Sequence, residues 1–153
     1  MAGVQIRAAV AGERKDLEAL QMRASLTNAG DREALLAIPD AVYLPLEQIL
    51  DGRVFVAELD GAIVGFAAML PRADGKMELD GLFVEPDRQR RGIGRTLVEH
   101  CCEFARQHGS PALHVVGNPH AEGFYLRCGF ALVGATRTRF GAAPLLEKTL
   151  RLS

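Results

Sequence analysis

Apolar and polar positions change period several times along the chain, and each change marks an element. The sharpest local signal is a pair of β-rich runs, RVFVAEL and AIVGFAAML, flanking Asp60-Gly61. Both turn residues tolerate positive φ, so the spacing predicts a tight hairpin over residues 53–70. VQIRAAV at 4–10 reads as a strand before it, and GKMELDGLFVEP at 75–86 as a strand after it, ended by Pro86. In GERKDLEALQMRASL (12–26), Leu17, Leu20 and Leu26 fall on one helical face. The strongest helix spans 93–108. Ile93, Leu97, Cys101, Phe104 and Ala105 share a face, Arg95, Glu99, Glu103 and Arg106 mostly lie elsewhere, and Gly109 and Pro111 close the helix. ALHVV (112–116) is a strand, HAEGFYLRC (120–128) a short helix ended by Gly129, and two strands follow over 130–139 and 145–152. Residues 28–51 are irregular, with short helices at DREALLAI, stopped by Pro39, and at PLEQIL.

Hairpins mixed with one strand–helix–strand crossover predict an α+β architecture. The central sheet is mixed and mostly antiparallel, of about seven strands, with helices on both faces. No repeat, linker or low-complexity segment divides residues 1–153, so a single domain is expected.

Composition narrows the function. At 48% hydrophobic and 24% charged, the chain can bury a core and remain soluble. Its net charge of −1 argues against a general nucleic-acid surface. No apolar run is long enough for a membrane span, and MAGVQIRAAV has no hydrophobic signal core, so a cytoplasmic protein is expected. Cys101, Cys102 and Cys128 sit at or beside apolar helical positions without metal-ligand spacing. They are expected as reduced thiols, and no metal site is expected.

Against that neutral background, EPDRQRRGIGRTLVEH (85–100) concentrates Arg88, Arg90, Arg91 and Arg95 around Gly92 and Gly94, where the strongest helix begins. A helix N-terminus offers unpaired N–H groups and partial positive charge, and glycines let a bulky anion approach the backbone. The anion is therefore a phosphate on something small. No P-loop run is present. A dinucleotide fingerprint fails because GIGRTL has Leu97 at its third glycine position and the strand ends several residues earlier, near Val84. The spacing that fits is [Q/R]-x-x-G-x-[G/A], through Gln89, Gly92 and Gly94.

LFVEPDRQRRGIGRTLVEH resembles the acetyl-CoA-binding motif of the GNAT superfamily of acyl-CoA-dependent N-acyltransferases. Downstream, NPHAEGFYLRCGF resembles that family's second segment: an Asn, a short helix with a Tyr, then Gly-Phe entering a strand. The resemblance covers nearly the whole chain, with residues 25–52 matching only in layout. It implies the GNAT fold, acetyl-CoA as cosubstrate, and transfer of the acetyl group to a primary amine of a small molecule or peptide. It places Leu82, Phe83 and Val84 along the pantetheine arm, and the backbone of Arg90, Arg91, Gly92, Ile93, Gly94 and Arg95 around the pyrophosphate. Asn118 and Tyr125 also lie at the cofactor. A homodimer is possible, as in many relatives.

Amide formation needs a neutral amine, although a free alkylamine has a pKa of about 10.4. It also needs a polarised carbonyl and a proton for the departing thiolate. By the resemblance, Tyr125 is the acid and the Val84 N–H polarises the carbonyl. The base remains open. Glu78 and Asp80 are two apart on a strand and face one side. His114 and His120 are alternatives. Relatives that carry a Glu five residues before the Asn have Leu113 as their counterpart here, so that version of the chemistry is absent. The 27–51 segment is expected on the acceptor side. Its Asp31, Glu33, Asp40, Glu47 and Asp51, against Arg32, suit a cationic amine, and Tyr43 is a candidate pocket residue. A non-catalytic acyl-CoA-binding module of the same fold is the competing reading.

Overall fold

The computed structural model describes residues 3–27, 32, 37, 42–138 and 141–151. The expected helix at DREALLAI lies almost wholly outside them. Seven strands form one mixed sheet in the order β1-β2-β3-β4-β5-β7-β6. They are β1 (Gln5–Ala8), β2 (Val54–Leu59), β3 (Ala62–Pro71), β4 (Met77–Val84), β5 (Ala112–Val116), β6 (Ala131–Thr138) and β7 (Gly141–Thr149). The helices bounded at both ends by described residues are α1 (Arg14–Ser25), α2 (Leu46–Leu50), α3 (Ile93–Gln107) and α4 (Glu122–Arg127). No helix among the described residues is long and apolar enough to cross a membrane. The chain forms two compact units, residues 1–68 with 81–97, and residues 69–80 with 98–153.

In the first unit, β1 pairs with β2 and β2 with β3, both antiparallel. Asp60 and Gly61 take φ of 52° and 81°, the two-residue turn that their chemistry favours. Leu17 and Leu20 of α1 pack with Leu44, Ile49, Val54, Val56 and Phe66 in one apolar cluster. The third inward position of α1 is Ala24, because the helix ends at Ser25 and Leu26 becomes its C-cap. The segment entering α2 is tied to α1 by polar bonds: the Leu44 N–H donates to Glu18 Oε2 at 2.8 Å, and Arg14 Nε donates to the Leu44 carbonyl at 2.7 Å.

In the second unit, β4 and β5 run parallel, and β7 pairs antiparallel with both β5 and β6. Met77, Leu79, Leu113, Val115 and Leu146 share the buried face, and β5 is buried on its other face as well, at Ala112 and His114. The α3 residues Val98, Cys101 and Ala105 are buried in this unit, as are Tyr125, Cys128 and Phe130. Phe104 lies at the edge of the helix stripe rather than within it, half-buried, with its ring stacked on His108 at 4.1 Å.

Candidate active site

The first unit builds a corner rich in backbone N–H donors and arginines from the end of β4. Leu82, Phe83 and Val84 are all half-buried there. Gly81 shares a face with Phe83, and an added Cβ would meet that ring at 2.9 Å, so the glycine lets the ring lie back over the strand. Two links fix Glu85 at the strand end. Its N–H donates to the Val64 carbonyl at 2.8 Å, and its carboxylate takes a forked pair from Arg23 at 2.9 and 3.1 Å. After a single 3₁₀ turn, Pro86–Arg88, the backbone becomes extended at Gln89 and then left-handed at Arg90 (φ 65°) and Gly92 (φ 81°). Such alternation of backbone hand makes a nest of N–H groups.

The Gly92 carbonyl caps the turn by accepting from the Thr96 N–H at 3.0 Å and the Thr96 hydroxyl at 2.9 Å, so α3 starts at Ile93. Helix geometry leaves the first-turn N–H groups, those of Ile93 and Gly94 included, without an intrahelical acceptor. Nothing lies within 4 Å of a Cβ added at Gly92, so the backbone there is open. Gln89, Arg90, Arg91 and Arg95 are exposed, and among the described residues Arg88, Arg90 and Arg91 enter no ion pair. The corner thus combines uncompensated cations, a backbone nest and a helix N-terminus, which together suit a pyrophosphate.

Gly65 on β3 holds this corner together. A Cβ there would stand 3.0 Å from the Phe83 carbonyl oxygen and 3.3 Å from both Ile93 Cγ2 and Leu97 Cδ1. Gly65→Val is expected to push the β4 end and the α3 start apart. It should destabilise the protein by about 1–3 kcal/mol and weaken coenzyme A binding. Urea denaturation beside calorimetric titration checks both effects, and an unchanged midpoint with unchanged affinity would contradict the tight packing.

The second unit holds the candidate acid. Tyr125 is only 6% exposed, with its ring edge-on to Phe124 and Phe130 at 5.1 and 5.4 Å. Burial pushes its phenol above the ordinary tyrosine range, so it stays protonated at neutral pH. Its hydroxyl forms no hydrogen bond among the described residues, which leaves the proton available. Asn118 opens the Pro119–Ala121 turn with its backbone: its carbonyl accepts from the Ala121 N–H at 3.0 Å, and its side chain makes no cap. The amide is therefore not used up by the local turn.

Glu78 is half-buried and accepts from Arg72 Nη1 at 3.2 Å, with Arg72 also held by Asp74. Asp80 and His120 are exposed, whereas His114 is buried. His114 Nδ1 stands 3.0 Å from Glu147 Oε2, and Lys76 Nζ donates to both Glu147 oxygens at 3.0 and 3.1 Å. Partial burial works against the Glu147 anion, but the bonds from Lys76 and His114 prevail and hold its carboxyl below the usual range. Neither Glu147 nor Lys76 stood out in the sequence. The available signal was a charge in the middle of the apolar run APLLEKTL.

The remaining candidates are dispersed. Glu47 and Asp51 are exposed, Asp51 pairs with Arg53 at 3.4 Å, and Asp31, Glu33 and Asp40 lie outside the described residues. Tyr43 is exposed and stacks under the Arg14 guanidinium at 4.9 Å. The three cysteines are free thiols, and burial raises those of Cys101 and Cys102 above the ordinary range. Among the described residues, no group of three or more His, Cys, Asp or Glu is arranged to hold a metal ion.

The Acetyltransferase (GNAT) family model matches residues 21–130. Streptothricin acetyltransferase of Streptomyces lavendulae is 38% identical over 109 residues, which is 67% of this chain and 58% of that protein's length. Among solved structures, the PaiA N-acetyltransferase of Thermoplasma acidophilum, in complex with coenzyme A, superposes with a TM-score of 0.79 at 17% identity, over 96% of this chain and 99% of the other. A GCN5-related N-acetyltransferase from Rhodopseudomonas palustris gives 0.81 at 22% identity, over 98% of each chain. At those identities the structural likeness is one of fold.

Proposed function

We propose that this chain, which belongs to the GNAT family of acetyltransferases, moves an acetyl group directly from acetyl-CoA to a primary amine of a small molecule or peptide. The observation that carries the reading is the corner at 89–95, where the left-handed Arg90 and Gly92, the helix start at Ile93 and the exposed side chains of Arg90 and Arg91 converge. That donor set suits the phosphates of coenzyme A. When bound, acetyl-CoA supplies an acetyl thioester, and its pyrophosphate is held by the backbone from Arg90 through Arg95. Leu82, Phe83 and Val84 present strand backbone to the pantetheine arm, and the Asn118 amide adds a polar contact. The streptothricin-named relative supports a small-molecule acceptor.

In this reading, the chain moves two protons. Glu78, whose carboxylate accepts from Arg72, takes one from the amine through water, with Asp80 the alternative on the same strand face. Tyr125, kept neutral by burial, gives its phenol proton to the departing thiolate. The amine forms the new C–N bond as the C–S bond breaks, and the second proton that the nitrogen sheds on becoming an amide restores the Tyr125 phenol, so charge and atoms balance.

The test is release of free coenzyme A thiol on mixing the protein and acetyl-CoA with a panel of cationic amines. Release that depends on both partners is expected. Tight coenzyme A binding with no release from any amine would favour the competing reading, a non-catalytic acyl-CoA-binding module.

Glu78→Gln should retain cofactor affinity and lose about tenfold in turnover near neutral pH. The low magnitude reflects that the base acts through water and that some amine is already neutral. The defect should shrink toward the amine's own pKa, near 10.4, where deprotonation needs no help. A pH–rate profile decides. An equal defect at every pH would assign Glu78 a structural role, and a pH-dependent loss only in Asp80→Asn would move the base to Asp80.

A further inference from the structure

The second unit carries a charged row that no step above uses in full. In the register, Glu78 of β4 lies beside His114 of β5, and His114 lies beside Glu147 of β7. The three residues share one face of three adjacent strands. The flanking Met77, Leu79, Leu113, Val115 and Leu146 point the other way and are buried. Each carboxylate of the row is held by its own cation, Glu78 by Arg72 and Glu147 by Lys76.

The Glu147 carboxylate accepts at 3.0 Å from His114 Nδ1, and an anionic carboxylate can only accept. The proton of neutral His114 therefore sits on Nδ1, and Nε2 carries the lone pair. Among the described residues no hydrogen bond engages Nε2, although the side chain is only 6% exposed. A buried imidazole with a fixed tautomer and an unused lone pair, in register with Glu78 on the neighbouring strand and on the same sheet face, is placed to accept a proton from that carboxyl.

We infer that His114 receives the amine's proton from Glu78, and that Glu147 is the positioning residue that aims His114 for the task. The inference rests on the acyl-transfer reading. It supplies a step that reading lacks: Glu78 must lose its proton before the next turnover. The proton moves from the amine to Glu78, then to His114 Nε2, then to solvent, and each group returns to its starting state. The charged groups beside His114 in the register are Glu78 on β4 and Glu147 on β7, which bond to Arg72 and Lys76 respectively.

The experiment compares the unaltered protein with His114→Gln and Glu147→Gln, in dilute buffer and with added imidazole. Dilute buffer should expose a loss of turnover of about tenfold in each variant, a decade short of what a positioned acid or base contributes, because Glu78 still takes the first proton. Added imidazole should restore most of the loss, and acetyl-CoA affinity should not change. A loss that imidazole leaves untouched, or no loss at all, would overturn the inference.

Nitrogen NMR of the unaltered protein supplies a second measurement, independent of activity. His114 should carry its proton on Nδ1, and Glu147→Gln should shift it to Nε2, because the new amide can donate to Nδ1. A proton on Nε2 in the unaltered protein would overturn the positioning role. Should His114→Gln fail to fold, the near-isosteric Glu147→Gln decides alone. An unaltered protein that releases no thiol from any amine would instead refute the transferase reading, with the NMR result unaffected.

Discussion

In a Gly94→Glu variant, acetyl-CoA binding is expected to fall below detection while the protein stays folded. Gly94 is the second residue of α3 and has an ordinary negative φ, so its backbone accepts a side chain. Glutamate is a far better helix former than glycine, by about 0.5–1 kcal/mol, and a carboxylate in the first turn is favourable against the helix dipole. Thermal stability should therefore hold or rise slightly. The same carboxylate would occupy the space that the nest and the arginines offer to a pyrophosphate, repelling it and competing for its N–H donors. Calorimetric titration with acetyl-CoA, beside a melting curve, separates the two effects. A folded variant with unchanged affinity would remove the basis for placing the phosphates at 89–95. Gly92→Ala is the instructive contrast. At φ 81° it should cost stability through backbone strain, of order 1 kcal/mol, before any question of binding arises.

The contrast also shows which parts of the site were legible in the sequence. Elements with local causes were plain. The Asp60-Gly61 turn, β5 at 112–116 and the start of α3 all follow from neighbouring residues, and the structure places them where the pattern does. The corner at 89–95, proposed for the phosphates, was legible as a loop and helix start for the same reason, since its parts lie within a few residues of one another. What escaped depends on register. Glu147 meets His114 only because β7 returns antiparallel beside β5, 33 residues along the chain, and nothing local marks that meeting. Lys76 reaches Glu147 across a still longer separation. The left-handed Arg90 was also hidden, because arginine carries no preference for positive φ; the loop imposes it. Asn118 is the reverse case. Its residue type suggests a side-chain cap, yet the turn is closed by its carbonyl, and the amide is left for another partner.

Tyr125→Phe should lower turnover by about 10²-fold, toward the low end for a general acid, and leave acetyl-CoA affinity nearly unchanged. The magnitude follows from the leaving group. An alkyl thiol has a pKa of about 8.5, so it can partly depart as thiolate without help. Direction and selectivity follow from the structure. The phenol is buried, burial keeps its proton in place, and no hydrogen bond among the described residues engages the hydroxyl. A hydroxyl with no bond inside the protein contributes little to the fold, so its removal should hardly move the unfolding midpoint. Phenylalanine keeps the edge-on contacts with Phe124 and Phe130. An interaction made only as the C–S bond breaks appears in kcat and kcat/KM together, not in ground-state binding. Steady-state kinetics with a good acceptor, beside cofactor titration and a melting curve, therefore isolate the proton. Turnover within about twofold of the unaltered protein would reduce Tyr125 to a packing residue, given what a positioned acid contributes. Weakened cofactor affinity with turnover intact would make its hydroxyl a binding group for the thioester instead.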